Sequence, residues 1–436
     1  MAMMQMDDGF YSTRENDNEP VNAIIFGVDY NNACDFEHSM DEMKGLVEAC
    51  DMVVAGTLTQ TLDHPDNALY LGVGKVNELR SFVVSLEAKC CVCEGDLSPS
   101  QMRNLQDELK VPVWDRTNLI LEIFSRRART GEAKLQVEYA YLQFMLPRLA
   151  GMWAHLGRQG GGRFANKGEG EKQIELDRRM IKHRMAQLRK QLDSVSKTRQ
   201  VQRDGRSRGG MPRVALVGYT NAGKSSLMNR ILGETAGEKQ VFEKDMLFAT
   251  LDTSIRKIRC EGGREFLLSD TVGFIENLPH TLIKAFRSTL EEVKYADVLL
   301  VVLDSSDPNN PAHRKVTEDT LRELEADKIP RIYVMNKADK ISEYPENSKV
   351  RQSGKVYISA KTGSGIDELL DMIIEEIDSG YEEISAVIPY SRGELTDRIR
   401  RVGSDVSEEY LAEGILVKAK CPKSLVQEIE KARINR

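Results

Sequence analysis

The 436-residue chain contains no apolar run approaching the ~20 residues that span a membrane. Its longest obvious one, Val298–Leu303, has the length of a buried strand. The first twenty residues, MAMMQMDDGFYSTRENDNEP, are polar and acidic and hold no signal-peptide core. A cytoplasmic protein without membrane insertion is therefore expected. Cysteine is sparse, seven in all, and an odd number in so long a chain excludes a disulfide scaffold. Cys90, Cys91 and Cys93 cluster, but no second Cys/His pair follows at zinc spacing. They read as buried strand thiols, not metal ligands. Charge, in contrast, is plentiful. With 30% charged and 41% apolar residues the chain is globular, and its length suggests about three domains.

The formal net charge of −7 argues against a nucleic-acid partner only until it is resolved along the chain. Residues Gly151 to Arg213 carry 16 Lys and Arg against 6 Asp and Glu, a net +10, which leaves −17 for the remainder. An acidic body carrying a basic segment is the composition of a protein that touches phosphate through one part of itself.

Hydrophobic periodicity divides the chain. Residues 1–20 read as a disordered tail. Over 21–130, strand-like runs (Ala23–Val28, Met52–Ala55, Lys89–Cys93) alternate with amphipathic helical stretches (Met40–Ala49, Lys75–Leu86, Ser98–Leu109), which predicts a small α/β domain with a largely parallel sheet. Over 131–205 the period changes: Leu135, Leu142 and Leu149 recur every seven residues, and Ile174, Ile181, Met185, Leu188, Leu192 and Val195 form a second heptad seam. These predict an antiparallel, coiled-coil helical hairpin, with a glycine-rich loop over Gly151–Gly170 and a basic linker over Thr198–Pro212. Over 206–380 six strand-like runs return: Arg213–Val217, Ser254–Cys260, Glu265–Ser269, Val298–Leu303, Arg331–Met335 and Lys355–Ile358. Glu261–Arg264 reads as a hairpin turn, and the whole as a doubly wound, mostly parallel α/β domain. Residues 381–436 predict a small α+β domain: a helix over Ser391–Val402, a strand over Gly414–Ala419 and a helix over Ser424–Ala432.

The chemistry is concentrated in the fourth segment. GYTNAGKS, from Gly218 through Tyr219, Thr220, Asn221, Ala222, Gly223 and Lys224 to Ser225, matches G-x-x-x-x-G-K-[ST] between a strand and a helix that continues with Ser226. Glycines let backbone N–H groups close around phosphate oxygens, and the helix N-terminus adds a favourable dipole. Lys224 reaches the β- and γ-phosphates and the Ser225 hydroxyl holds magnesium. Asp270-Thr271-Val272-Gly273 ends a strand, placing Asp270 on the same magnesium and the Gly273 N–H at the γ-phosphate. Asn336-Lys337-Ala338-Asp339 ends another. An Asp there accepts the N1–H and 2-amine of guanine, a donor pair adenine lacks. Ser359-Ala360-Lys361 ends the next, bringing a backbone N–H to the guanine oxygen. Four short motifs in order, each at the carboxyl end of a strand, point to a GTPase with a P-loop domain. Between the first two lies Phe248-Ala249-Thr250-Leu251-Asp252, with Thr250 the candidate second hydroxyl on magnesium and Thr253 the runner-up. Asn221 has two readings: a ligand for potassium beside the phosphates, or a residue that stabilises the loop. Phe274 stands where many GTPases carry a water-orienting glutamine, which predicts slow intrinsic hydrolysis.

These residues, with LYLGVGK (Leu69–Lys75), VNEL (Val76–Leu79), HLGR (His155–Arg158), Gly168–Arg179, FATLD and DTVGF, resemble the HflX family of bacterial GTPases from about Val21 to the C-terminus. One departure lies in the hairpin: the family commonly reads G-P-G-E-T-Q-L-E, and this chain reads GEGEKQIE over Gly168–Glu175, without the proline and with Lys172 added. The resemblance implies a monomeric, magnesium-dependent GTPase that binds the large ribosomal subunit and, in its GTP form, splits or rescues stalled ribosomes. Its N-terminal domain and hairpin would contact ribosomal RNA, and the ribosome would stimulate hydrolysis. The residues reach a similar partner independently: Arg158, Arg163, Lys167, Arg178 and Arg179, with Trp153 and Phe164 among glycines, suit an RNA surface. In the plainer reading Trp153 caps the coiled coil and the charges are solvated. The competing function is a GTP-dependent switch that binds a protein effector through the coiled-coil arm. A tRNA-modification role lacks a Cys/His/Asp constellation in the N-terminal segment. Finally, Gly72-Val73-Gly74-Lys75 reads either as a turn before a helix or as a second nucleotide site.

Overall fold

A computed structural model describes residues 21–30, 36–159, 167–208, 211–235, 247–248, 254–260, 264–275, 292–341, 351–352 and 354–432. The expected disordered tail, the hairpin turn over 261–263 and the glycines at 160–162 lie outside them. The described residues fall into two compact units, one of 21–192 with 247–248, the other the rest from Asp193.

The first unit is built on four strands: β1 (Val21–Asp29), β2 (Met52–Thr61), β3 (Cys90–Cys93) and β4 (Val113–Trp114), in the order β2-β1-β3-β4, all pairs parallel. Helices α1 (Phe36–Ala49), α2 (Val73–Ser85), α3 (Pro99–Leu109) and α4 (Arg116–Arg127) alternate with them. The centre of β1, AIIF, and all of CCVC in β3 are buried, as strands of a parallel sheet covered on both faces must be. The three β3 thiols are core, and burial pushes that of Cys90 up to about 12. Reciprocal capping boxes start α3 (Ser98 with Gln101) and α4 (Asp115 with Asn118), each worth about 1 kcal/mol. Strand β4 and helix α4 were not anticipated: β4 is two residues long, and α4 is buried over most of its length, so no polar stripe marks it.

Two long helices follow, α5 (Gly131–Gln159) and α6 (Lys167–Arg208). Val137, Ala140, Phe144, Met145 and Leu149 of α5 are buried, as are Ile181 and Leu188 of α6. Arg184 of α6 donates from Nε and Nη2 to the two carboxylate oxygens of Glu138 of α5, at 2.6 and 2.9 Å. Two expectations need correction. Helix α5 continues through Pro147 and Gly151, and α6 begins at Lys167, so much of the expected loop is helical. The expected linker from Thr198 is helical as far as Arg208. Glycine costs a helix interior only about 1 kcal/mol, which neighbouring helix formers outweigh.

The second unit has a seven-stranded sheet: β5 (Arg213–Gly218), β6 (Ser254–Arg259), β7 (Glu265–Asp270), β8 (Val298–Asp304), β9 (Arg331–Asn336), β10 (Arg351–Gln352) and β11 (Lys355–Tyr357), ordered β10-β11-β9-β8-β5-β7-β6. Only the edge pairs β6/β7 and β10/β11 are antiparallel. Helices α7 (Lys224–Thr235), α8 (Asn310–Glu323) and α9 (Ile366–Ser379) belong to it. Leu227, Ile231, Leu369 and Ile373 pack on Val214, Leu216, Leu300 and Val334 in one core. Strands β5, β7, β8, β9 and β11 run parallel, so the turns after β5, β7, β9 and β11 all open at one edge of the sheet.

The C-terminal residues form an antiparallel sheet of β12 (Tyr381–Ile388), β13 (Ser404–Leu411) and β14 (Gly414–Pro422), ordered β12-β14-β13, with helices α10 (Gly393–Val402) and α11 (Lys423–Ala432). Strands β12 and β13 were missed. YEEISAVI and SDVSEEYL carry adjacent acidic pairs, Glu382–Glu383 and Glu408–Glu409, which put a charge on each face and break the apolar alternation that marks a strand.

Candidate functional site

Strand β5 ends at Gly218, and the turn through Ser225 opens α7. Lys224 is buried, and its Nζ donates to the carbonyls of Gly218 at 3.1 Å and Tyr219 at 2.8 Å. Burial pushes its pKa down to about 8, against the opposing pull of Asp270. A cation stripped of water and held over a loop gains most when an anion arrives. Gly223 has φ +90°, and a side chain there would place its Cβ 2.2 Å from Asn336 Nδ2. At Gly273 a Cβ would stand 2.8 Å from Thr220 Cα and 3.1 Å from Lys224 Nζ. Asn221 is exposed at φ +59°, a left-handed conformation asparagine tolerates better than most residues.

The turn after β7 is tied to this loop. Ser225 Oγ donates to Asp270 Oδ2 at 2.7 Å, and Asp270 is fully buried. Thr271 Oγ1 donates to the Leu216 carbonyl at 2.6 Å, while Val272 is buried beside it in sequence. The Phe274 N–H donates to the Gly218 carbonyl at 3.1 Å, and the Thr220 N–H to the Phe274 carbonyl at 2.7 Å. Phe274 is only 2% exposed. Its ring is therefore sequestered as well as unable to hydrogen-bond. The paired oxygens of Ser225 and Asp270 are hard donors of the kind magnesium takes, and they fit such an ion.

On the other side, Asn336 is the bridge. Its Nδ2 donates to the Ala222 carbonyl at 2.9 Å, and its Oδ1 accepts from the Ala360 N–H at 3.1 Å. Ser359 Oγ donates to Asp339 Oδ1 at 2.6 Å, fixing that carboxylate. Lys337, at φ +60°, pairs with Asp304 Oδ2 at 2.8 Å. Burial alone would raise the Asp304 carboxyl, but hydrogen bonds from Lys337 and Ser306 hold it below its ordinary value. The structure thus brings together Gly218–Ser226, Asp270–Gly273, Asn336, Lys337, Asp339 and Ser359–Lys361. Phe248 belongs to the first unit, where its ring, 2% exposed, stands 4.9 Å edge-to-face from Phe124. Ala249, Thr250, Leu251, Asp252 and Thr253 lie outside the described residues.

Three neighbours escaped sequence reasoning. Tyr219 stacks on His313 of α8, centroids 3.8 Å apart, and His313 Nδ1 stands 3.4 Å from Asp307. Asp304 anchors Lys337. Arg230 of α7 donates to the carbonyls of Ala360 and Lys361. None has a sequence signal, because each acts on a site residue 33 positions away or more, brought to it by the fold.

The fold and this arrangement are those of a P-loop GTPase, an enzyme that binds GTP and hydrolyses it to GDP and phosphate. Comparison with known proteins carries this further. Residues 37–125 match the family described as GTP-binding GTPase N-terminal, 127–206 that described as GTP-binding GTPase Middle Region, and 213–337 that described as 50S ribosome-binding GTPase. GTPase HflX of Caldanaerobacter subterraneus subsp. tengcongensis is 42% identical over 383 residues, 88% of this chain and 87% of that protein. GTPase HflX of Escherichia coli K12 is 36% identical over 394 residues, 90% of this chain and 91% of that one. Among solved structures, the complex of SsGBP with GDP covers 81% of this chain and 98% of its own at 26% identity, with a TM-score of 0.48. The chain belongs to the HflX family of GTPases.

Proposed function

We propose that this GTPase binds the large ribosomal subunit and, in its GTP form, splits or rescues stalled ribosomes, its hydrolysis stimulated by the ribosome. The observation that carries the reading is the charge partition. A segment of net +10, most of it within α5 and α6, belongs to a chain otherwise at −17, and the GTPase segment matches a family described by 50S binding. Cationic residues meet a phosphate backbone by releasing its counterions. In this reading 21–130 and the hairpin 131–205 contact rRNA, 206–380 is the switch, and 381–436 is an appended domain. The protein acts as a monomer in the cytoplasm.

Magnesium, which would supply charge neutralisation at the γ-phosphate, is assigned to Ser225, Asp270 and Thr250. Lys224 and the Gly273 N–H hold the γ-phosphate, and Asp339 and Ser359–Lys361 read guanine. Potassium at Asn221 belongs to the same proposal, and the residue's exposure within the phosphate loop is what supports it. GTP orders the segment around Thr250 and the turn after Asp270, setting the RNA-binding pose. Hydrolysis then lowers affinity.

The test is co-sedimentation of the full chain with large subunits at increasing salt, with GDP or a non-hydrolysable GTP analogue. Binding only with the analogue, weakening steeply with salt and at least tenfold on combined neutralisation of Arg158, Arg163 and Lys167, is the expected result. Binding indifferent to those substitutions would favour a protein effector instead.

A further inference from the structure

We propose that Arg230, which lies in none of the nucleotide motifs, is a positioning residue for guanine recognition: it aims the Lys361 N–H at the base. The inference rests on Ser359–Lys361 being the loop that meets the guanine oxygen. Arg230 stands six residues after Lys224 on the helix that the phosphate loop opens. Its Nε donates to the Ala360 carbonyl at 2.8 Å, and an Nη donates to the Lys361 carbonyl. The guanidinium fork therefore grips two successive peptide groups at once, as a point-charge ammonium cannot.

Peptide planarity turns that grip into aim. In a trans peptide the carbonyl and the following N–H point in opposite directions, and no described peptide bond is cis. Holding the Ala360 carbonyl toward α7 points the Lys361 N–H away from it. Holding the Lys361 carbonyl orients the Thr362 N–H likewise, and that group donates to Ser359 Oγ at 3.2 Å. The preceding plane is pinned by the Ala360 N–H on Asn336 Oδ1. Three consecutive peptides are thus fixed, the last two by Arg230. Ser359 Oγ also donates to Asp339, so one loop serves both edges of the base. Guanine presents an oxygen at position 6, whereas 2,6-diaminopurine presents an amine there and keeps the 2-amine. A rigid N–H rejects the second, and a free-swinging one accommodates it, because rejection depends on the donor being unable to turn away.

The experiment measures affinity of the full chain for GDP and for 2,6-diaminopurine riboside diphosphate, with Arg230→Ala and Arg230→Lys, alongside the melting temperature without nucleotide. Expected are a roughly tenfold loss of discrimination in R230A, partial recovery in R230K, and faster GDP release in both. Equal weakening of both nucleotides, with the ratio unchanged, would overturn the proposal by making Arg230 a brace and no more. Should R230A not fold, the ratio in R230K decides. Asp339→Asn, tested in parallel, should shift preference from guanine to xanthine. Its failure to do so would remove the base-site reading itself, whatever Arg230 does.

Discussion

Gly72–Lys75 in the four-stranded unit and Gly218–Lys224 in the seven-stranded one both place glycine and lysine at the opening of a helix, and their surroundings diverge. Gly72 sits at φ −65°, ψ 148°, an ordinary extended conformation, and its N–H is taken by the Gln60 side chain at 2.9 Å. A Cβ at Gly74 would meet nothing within 4 Å, and Lys75 pairs with Glu78 on the surface at 2.9 Å. In the other segment Gly223 is left-handed, its missing side chain leaves room for Asn336, and Lys224 is buried over two carbonyls. A phosphate site is made by backbone that only glycine tolerates and by a cation with little water. The letters G and K are not enough. The first segment is built as the start of a helix.

The comparison breaks most sharply on the lysines. Lys224→Met should lower GDP affinity by at least 100-fold in calorimetry, because it removes the buried cation, while Lys75→Met should leave affinity and one-to-one stoichiometry unchanged. Equal losses would put both segments in one site. The glycines follow. Gly223→Ala should cost tenfold or more in affinity, since φ +90° and the Asn336 amide both oppose a Cβ. Gly74→Ala should raise stability by about 0.5 kcal/mol in chemical denaturation, as glycine in a helix is entropically costly. The smallest effect on affinity is that of pH. Lys224 titrates near 8, below its ordinary value, and a bound phosphate favours the protonated form and raises it. Affinity is therefore full below pH 8 and falls as pH rises through that value, by roughly five- to tenfold between pH 7.5 and 9. A flat profile would place the lysine outside the phosphate site.

The four nucleotide motifs were legible because each is a local string whose spacing the chemistry imposes. So were the central strands, whose unbroken apolar runs such as VLLVVLD admit little else. Strands β12 and β13 were hidden by adjacent glutamates that break their alternation, and α5 and α6 ran through glycines that single-residue cost alone could not stop. Arg230, His313 and Asp304 were invisible for another reason. Their roles arise from contacts between elements far apart in sequence, and an arginine on a helix face reads as solvated charge until its acceptors are known. Phe274 lay between these cases. Its chemistry was readable, but not that its backbone would be bonded on both sides to the phosphate loop.

The backbone lock on Phe274 bears most directly on the proposal that this GTPase waits for its partner. Single-turnover hydrolysis of GTP by the full chain, with and without purified large ribosomal subunits, measures it directly. Slow hydrolysis alone and acceleration on the order of 100-fold by the subunit are expected, since neither the Phe274 ring nor its occupied backbone groups can orient the attacking water. A rapid rate from the isolated chain, unmoved by the subunit, would contradict it.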